Sequence, residues 1–190
     1  MSNKTDLRVL KTHQNIKNAF SNLLLEKSFK DVTVQNICDA ALIGRSTFYD
    51  HYYDKYDLLN KMTKEICNEF KSYVESRFNL NNSGDFTKIV SDMAKHFSMK
   101  KNTIIGLLRV HTESADLYDD LKNILIEACS CYLENKKFIS KYTVSNEYIW
   151  CHYASYVLTS LQLWLELGEN DYDLKLANKL QSILFECDNK

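Results

Sequence analysis

Residues 32–59, VTVQNICDAALIGRSTFYDHYYDKYDLL, contain two short amphipathic segments on either side of a break at residues 42–44. The second segment is dense in side chains that can bond phosphates and base edges: Arg45, Ser46, Thr47, Tyr49 and His51. Two short helices joined by a tight turn form a helix-turn-helix, whose second helix enters the major groove of DNA. We therefore predict such a motif at about residues 33–52, with a role at DNA rather than in catalysis.

The composition indicates a helical protein. The 190 residues include no proline and only four glycines, and 45% of them are hydrophobic. Few helix breakers and the lack of a useful alternating strand pattern favour helices throughout the chain. We predict an all-α fold with enough apolar side chains for a core.

The first fourteen residues have no apolar core and no small-residue cleavage site, so they do not resemble a signal peptide. Six cysteines are scattered without a disulfide-like framework: Cys38, Cys67, Cys129, Cys131, Cys151 and Cys187. Such cysteines are typical of reduced thiols in the cytosol. We expect a cytoplasmic protein.

Charge gives weak support for binding to nucleic acid. The net charge of the chain is −1. Residues 1–30 hold six Lys and Arg against two acidic residues, a net charge of +4, whereas residues 31–60 hold two basic and five acidic residues, a net charge of −3. The first 60 residues are therefore only +1, which is low for a monomer that neutralises phosphates.

Apolar spacing and capping residues predict the helices of the N-terminal part. Helix 1 is expected over about residues 6–27. Thr33 is a plausible N-cap for a second helix over residues 34–41. A third helix is expected over residues 45–52. In this third helix we expect the side chains at positions 48 and 52, four residues apart, to point inward.

Asp54 can cap a long helix that starts near Lys55 and continues to about residue 77. The Asn, Ser and Gly residues of the segment 79–85 predict a loop. Five further helices are expected after it, over about residues 86–97, 102–110, 114–135, 145–167 and 172–185. We predict two domains, residues 1–56 and residues 57–190.

Residues 148–165 contain no charged side chain. Their length reaches the lower limit for a membrane span, yet polar residues interrupt the segment and both flanks are acidic, so we expect no membrane helix. An apolar helix that is buried all round is covered by its own domain on one side and by a partner on the other. This segment therefore indicates a dimer interface.

Residues 12–59 resemble the N-terminal DNA-binding domain of TetR/AcrR-family transcriptional regulators. The resemblance is strongest at residues 47–59, TFYDHYYDKYDLL, beside the family pattern T-[FL]-Y-x-[HY]-F-x-[SD]-K-x-x-L. In the turn, Leu42 stands where the family usually has glycine, and a left-handed leucine costs roughly 1 kcal/mol. Gly44 stands where the family often has a serine cap, and Ser28 replaces a common glycine.

The resemblance implies a homodimer that represses transcription at a two-fold symmetric DNA operator and is released by a small-molecule effector. A long helix would join the three-helix DNA-binding domain to a C-terminal bundle, which binds the effector and dimerises through its last two long helices. Residues 104–185 are also loosely similar to the C-terminal domain of the dihydroxyacetone kinase activator group, through WLELG at residues 164–168. The alternatives are an activator, or a co-regulator whose C-terminal domain binds a partner protein.

Seven residues are candidates for DNA contact: Thr33, Arg45, Ser46, Thr47, Tyr49, His51 and Lys55. A guanidinium can bond guanine O6 and N7, so Arg45 is the candidate for base contact. Thr47, Tyr49 and His51 are expected mainly at phosphates, although Tyr49 and His51 could be structural instead. The ammonium of Lys55 and the first N–H groups of its helix could share one phosphate. Thr33 could do the same or act only as a cap.

Aromatic and polar side chains of the C-terminal part are candidates for an effector site: Phe97, His111, Tyr118, Trp150, Tyr153 and Trp164. The alternative for each of them is an ordinary core residue. Cys129 and Cys131 lie two apart on a predicted helix and point about 200° apart, so they cannot clamp one metal ion. We found no glycine-rich phosphate loop, serine elbow or paired-carboxylate motif, so we expect no metal, no cofactor and no enzymatic activity.

Overall fold

The computed structural model describes residues 2–79, 86–135 and 144–168, together with residues 170, 172, 173, 175, 176, 179 and 180. These residues form eight α-helices and no strand, as predicted for an all-α fold. The helices are α1 (Ser2–Glu26), α2 (Val34–Ala41), α3 (Arg45–Tyr49), α4 (Lys55–Asn79), α5 (Phe86–Ser98), α6 (Lys101–Leu108), α7 (Leu117–Asn135) and α8 (Asn146–Leu167). The helix predicted over residues 172–185 lies largely outside the described residues.

Packing divides the chain into two compact units. The first unit comprises residues 1–66 and 100–117, and the second comprises residues 67–99 and 118–190. Helix α6 packs with α1 in the first unit. Packing and function need not divide a chain at the same residue, so the functional boundary after residue 56 stays a prediction.

The first unit is built on α1, whose side chains Ile16, Phe20 and Leu24 are buried. A Cβ atom added to Gly106 of α6 would lie 3.1 Å from the Ser21 carbonyl oxygen of α1. Glycine at this position therefore lets the two helix backbones approach closely. The hydroxyls of Ser21 and Thr103 lie 2.9 Å apart across the same contact.

Local capping explains where α2 and α4 begin. The Thr33 hydroxyl accepts from the Asn36 backbone N–H at 3.1 Å, and the Asn36 side chain accepts from the Thr33 N–H at 3.2 Å. This reciprocal pair is a capping box, and it confirms Thr33 as the N-cap of α2. Asp54 accepts from the backbone N–H groups of residues 56 and 57, each at 2.8 Å, which confirms the predicted cap of α4.

Helices α6 and α7 are shorter than predicted because a compact turn separates them. The Thr112 hydroxyl accepts from the Ala115 N–H at 3.1 Å, and the Thr112 N–H donates to the Ala115 carbonyl at 3.2 Å. Residues 109–116 therefore leave the helical path, and α7 starts at Leu117 rather than at residue 114.

The second unit has a core in which α5 packs with α8. Phe97 of α5 is 1% exposed, and its ring centroid lies 6.0 Å from that of Phe70 of α4. Helix α8 buries Tyr153, Leu158 and Leu165. Within the described part of the chain, no helix combines the length and apolarity that crossing a lipid bilayer requires.

Candidate DNA-binding surface and effector cavity

The turn between α2 and α3 contains a leucine in the left-handed conformation. Leu42 has φ 55° and ψ 46°, and its side chain is 92% exposed. The Leu42 N–H donates to the Asp39 carbonyl at 3.3 Å, and the Ile43 N–H donates to the Cys38 carbonyl at 3.0 Å. These two bonds form a Schellman motif, which ends α2 and usually has glycine at the left-handed position. Leu42 thus adopts the left-handed conformation despite the cost that a leucine has there.

Helix α3 is five residues long, so the prediction of a regular helix over residues 45–52 is wrong. The chain tightens after Tyr49, where the His51 N–H donates to the Phe48 carbonyl three residues earlier at 3.0 Å. Such i to i+3 bonds are common at helix ends. The inward direction of two side chains is confirmed, since Phe48 is 0% exposed and Tyr52 is 2% exposed.

Helix α3 presents polar side chains on the face opposite Phe48. Arg45, Ser46 and Tyr49 are exposed, and Thr47 is half-buried. The Arg45 guanidinium lies 6.0 Å from the Tyr49 ring centroid, and one of its nitrogens is 3.5 Å from the Tyr49 hydroxyl. The two side chains therefore lie side by side on the surface, where both can reach a ligand.

Lys55 has a structural role that differs from the predicted phosphate contact. Its ammonium donates to the carbonyls of Phe29, Lys30 and Val32 at 2.8, 3.1 and 2.7 Å. It also lies 4.6 Å from the centroid of the Phe29 ring. Burial lowers the pKa of Lys55, and the nearby carboxylate of Asp31 raises it.

An ammonium has three protons, and three carbonyls already accept them. The Asp54 carboxylate also occupies the first turn of α4, where a shared phosphate was expected. This geometry revises the role that we predicted for Lys55. It holds a short 3₁₀ helix, Phe29–Asp31, against the start of α4.

His51 is half-buried and packs on α1, with its ring centroid 4.3 Å from that of His13. His13 Nδ1 is 2.9 Å from the Tyr52 hydroxyl. Burial, followed by the neighbouring His51 and Lys17, lowers the pKa of His13. Burial also raises the pKa of Tyr52 to about 12. The imidazole of His51 thus takes part in the packing of the unit, the structural alternative considered for it.

One exposed aromatic residue was missed in the sequence. Tyr53 follows α3 and is 87% exposed. No local pattern marked this residue as exposed, since consecutive side chains can both be buried, as Leu58 and Leu59 are. Because it is exposed, Tyr53 joins the candidates for phosphate contact.

The second unit contains a cavity of about 280 Å³. Helix α4 and helix α8 supply most of its wall, with single residues from α5 and α7 and four residues beyond α8. The lining residues include Phe70, Tyr73, Val74, Arg77, Met93, Leu125, Tyr153, Tyr156, Val157, Ser160 and Trp164. Residues beyond α8 that line it are Asn170, Asp173, Leu176 and Leu180.

Two of the six predicted effector residues, Tyr153 and Trp164, line this cavity. Phe97 lies in the core behind it, and Tyr118 and Trp150 are half-buried outside its lining. His111 belongs to the other unit, where its Nδ1 lies 2.6 Å from an Asp116 carboxylate oxygen. The structure therefore brings two of the six predicted residues together at this cavity and leaves the other four outside its lining.

Arg77 is a lining residue that the sequence reasoning missed. Positions 70, 73, 74 and 77 of α4 recur at intervals of three and four residues, so they share one face of the helix. The sequence could have indicated Arg77 as a lining residue, because it lies at the end of a helical face that is otherwise apolar and aromatic. In the structure its guanidinium carbon lies 5.9 Å from the Tyr153 ring centroid.

Solved structures of other proteins share this fold along nearly the whole chain. A TetR transcriptional regulator from Streptococcus agalactiae 2603V is 26% identical, with a TM-score of 0.59 over 94% of this chain and 97% of that one. The SmeT–triclosan complex has a TM-score of 0.67 at 15% identity and covers 94% of this chain and 93% of that one. The fold is that of helix-turn-helix regulators, and it is the TetR-family fold.

Sequence similarity to a curated protein is confined to a shorter stretch. An uncharacterized HTH-type transcriptional regulator, YxbF of Bacillus subtilis (strain 168), is 38% identical over 65 residues, or 34% of this chain. The chain spans 17% of that relative's length. No protein-family model matches the chain.

The dihydroxyacetone kinase operon activator DhaS also has this fold, at 14% identity and a TM-score of 0.54 over 91% of this chain and 93% of that one. At this identity the likeness shows the fold alone. The comparisons confirm the predicted resemblance to TetR-family regulators and the predicted fold class.

Proposed function

We propose that the protein is a homodimeric, sequence-specific DNA-binding regulator of transcription, and that it is a repressor released by a small molecule. The observation that carries this proposal is the surface of α3. Phe48 anchors the helix in the core, and the opposite face exposes Arg45, Ser46 and Tyr49. In helix-turn-helix proteins, the N-terminal residues of this helix contact base edges.

The contacts that we propose fall into two classes. Arg45 contacts a base, because its fork of N–H donors matches the two acceptors of guanine. Ser46 lies beside Arg45 in the first turn of α3, the end that meets base edges. Thr47, Tyr49 and Tyr53 contact phosphates, which set the register without reading sequence. The exposed hydroxyl of the N-cap Thr33 can donate to a phosphate while it accepts the capping bond, since a hydroxyl both donates and accepts.

Dimerisation offsets the low charge of the DNA-binding unit. The first 60 residues carry a net charge of only +1. Two units on a two-fold symmetric operator double every contact, with half-sites separated by whole helical turns of DNA. We therefore expect an operator with two related halves.

The cavity of the second unit is the proposed effector site. SmeT, which shares the fold, forms a complex with triclosan. Helix α4 runs without interruption from Lys55 to Asn79, and its residues 70–77 line the cavity. A ligand that binds one conformation of this wall more tightly than another shifts the population toward that conformation. We propose that a shift of α4 lowers the affinity for DNA.

The proposal is tested by selecting fragments of the source genome with the purified full-length chain and footprinting the enriched fragments. We expect one or a few sites with two-fold symmetry, protected at concentrations at which unrelated DNA is not bound. No enriched site at any ionic strength from low salt upward would overturn the proposal. Capture of a partner protein under the same conditions would then favour the co-regulator alternative.

A further inference from the structure

We propose that the cavity of the second unit binds an uncharged aromatic compound of one or two rings with a carbonyl group, and that the carbonyl oxygen accepts a hydrogen bond from Trp164. This inference rests on the proposed function, because it names the chemical class of the effector. Three features of the cavity carry it: its aromatic wall, the partners of its charged groups and one buried donor.

The size and the wall of the cavity set the body of the ligand. Its volume is about 280 Å³, near the lower end of the roughly 300–1,000 Å³ of ligand pockets. Five of the described lining residues are aromatic: Phe70, Tyr73, Tyr153, Tyr156 and Trp164. Aromatic rings pack against such side chains in stacked or edge-to-face arrangements. A compact ring system therefore fits this wall, whereas a sugar or a nucleotide would lose hydrogen bonds with water there.

The charged side chains among the described lining residues are Arg77 and Asp173, and neither requires a charged ligand. Arg77 hydrogen-bonds the Tyr153 side chain, lies 5.9 Å from the ring centroids of Phe78 and Tyr153, and has further interactions within the protein. Asp173 is exposed, where an ion pair contributes little. Since a charged group loses its hydration in an apolar cavity, these features favour an uncharged ligand.

The Nε1–H of Trp164 is a donor that needs an acceptor. The nitrogen is buried, and no hydrogen-bond partner for it lies among the residues that the structure describes. An indole N–H can only donate, and a buried donor without an acceptor is destabilising. A carbonyl oxygen of the ligand supplies the acceptor. Because the nitrogen itself is covered, the indole ring turns toward the cavity when this bond forms.

Trp150, on the same helix, is a matched comparison for Trp164. Its Nε1 is also buried and has no partner among the described residues. Unlike Trp164, it lies outside the described lining of the cavity. The chain contains two tryptophans, so the two indole N–H groups can be followed separately. A ligand in the cavity should therefore change the Trp164 donor and leave that of Trp150 unchanged.

The first test uses the unmodified full-length chain and three probes with the same ring system: 2-acetylnaphthalene, 2-ethylnaphthalene and 2-naphthoate. Equilibrium dialysis at pH 7.5 gives the three affinities. We expect 2-acetylnaphthalene to bind at least about threefold more tightly than 2-ethylnaphthalene, which has no acceptor. It should bind at least about tenfold more tightly than the charged 2-naphthoate. Equal or tighter binding of either comparison probe, or no binding of 2-acetylnaphthalene, overturns the proposal.

The second test locates the carbonyl group with a pair of variants. Trp164→Phe removes the N–H donor and keeps an aromatic ring. It should weaken the binding of 2-acetylnaphthalene at least about threefold and change that of 2-ethylnaphthalene by less than about twofold. Trp150→Phe is the matched control and should change neither affinity by more than about twofold. An equal loss for both probes in Trp164→Phe would contradict the assignment.

A spectrum of the unmodified chain decides the same question if Trp164→Phe is unstable. In a ¹⁵N–¹H correlation spectrum, the two indole signals are assigned with Trp150→Phe. We expect 2-acetylnaphthalene to move the Trp164 indole proton downfield relative to its position with 2-ethylnaphthalene, because only the ketone accepts its hydrogen bond. The same position with both probes would overturn the proposal.

DNA footprinting on the same preparation separates this inference from the proposed function. Operator protection without a preference for the ketone would contradict the ligand class and leave the proposed regulator intact. Preference for the ketone without any protected DNA would contradict the regulator and leave the ligand site intact.

Discussion

The DNA-facing helix and the cavity are assembled in different ways. Helix α3 collects its functional side chains from five consecutive residues, 45–49. The cavity collects its wall from four helices and from residues beyond α8, so its members lie up to 110 positions apart, between Phe70 and Leu180. A site whose residues are neighbours in the chain can be predicted from the sequence. A site that forms only when distant helices pack cannot.

Among the substitutions, we expect the largest loss of stability at the residue that anchors α3 in the core. Phe48→Ala removes a ring that is 0% exposed and should destabilise the first unit by about 3–5 kcal/mol. Urea unfolding and DNA binding would both report the loss. A loss below about 1 kcal/mol would mean that α3 does not depend on this anchor. Tyr53→Ala, at a residue 87% exposed, is the control and should change stability by less than about 0.5 kcal/mol.

Substitution of Lys55 should cause a smaller loss of stability, because this residue of the TetR-like sequence pattern takes part in packing. Lys55→Ala leaves the carbonyls of residues 29, 30 and 32 without their charged donor and should cost about 1–3 kcal/mol in the free energy of unfolding. DNA affinity should fall without a change in the slope of log K against log salt. A salt dependence that becomes shallower by about 0.9 per half-site, together with an unchanged free energy of unfolding, would instead indicate a direct phosphate contact.

Substitution of Arg45 should change the recognition of DNA sequence and leave the stability of the protein unchanged. Arg45→Ala is expected to reduce discrimination at one base pair of each half-site by roughly tenfold or more. Titration of the variant against a set of singly substituted operators measures this. Arg8→Ala, at an exposed arginine of α1, is the matched control and should leave the ranking of these operators unchanged. An unchanged ranking in Arg45→Ala would remove this residue from base contact.

The smallest effect concerns His13, which joins α1 to the end of the helix-turn-helix. Its pKa is lowered in the folded protein from an unfolded value of about 6.5. As the pH falls below about 6.5, the unfolded chain takes up a proton first, so stability is lost as the pH decreases through this range. His13→Gln should flatten the dependence of unfolding free energy on pH between about 7.5 and 5.5. An unchanged dependence would show that His13 is not the group responsible.

Capping chemistry and the helix-turn-helix pattern made much of the first unit predictable. Thr33 and Asp54 mark the starts of α2 and α4 because the groups that they cap lie two or three residues away. The place of Leu42 in the turn followed from the break at residues 42–44. Phe48 and Tyr52 point inward as their spacing requires.

The remaining features depend on long-range contacts. Lys55 bonds carbonyls 23 to 26 residues earlier, and no local rule connects those positions. His51 packs on His13, 38 residues earlier in the chain. Arg77 shares a cavity with Tyr153 and Trp164 only because α4 and α8 pack in the same unit. Aromatic content alone could not separate Tyr153, on the cavity wall, from Trp150, outside it.

Hydroxyl-radical footprinting on the enriched DNA tests the central claim most directly, since it shows which faces of the duplex the protein covers. We predict two protected patches related by two-fold symmetry, with their centres separated by whole helical turns, and loss of both patches in Phe48→Ala. A single unsymmetric patch, or protection that survives in Phe48→Ala, would contradict the claim that a pair of α3 helices reads the DNA.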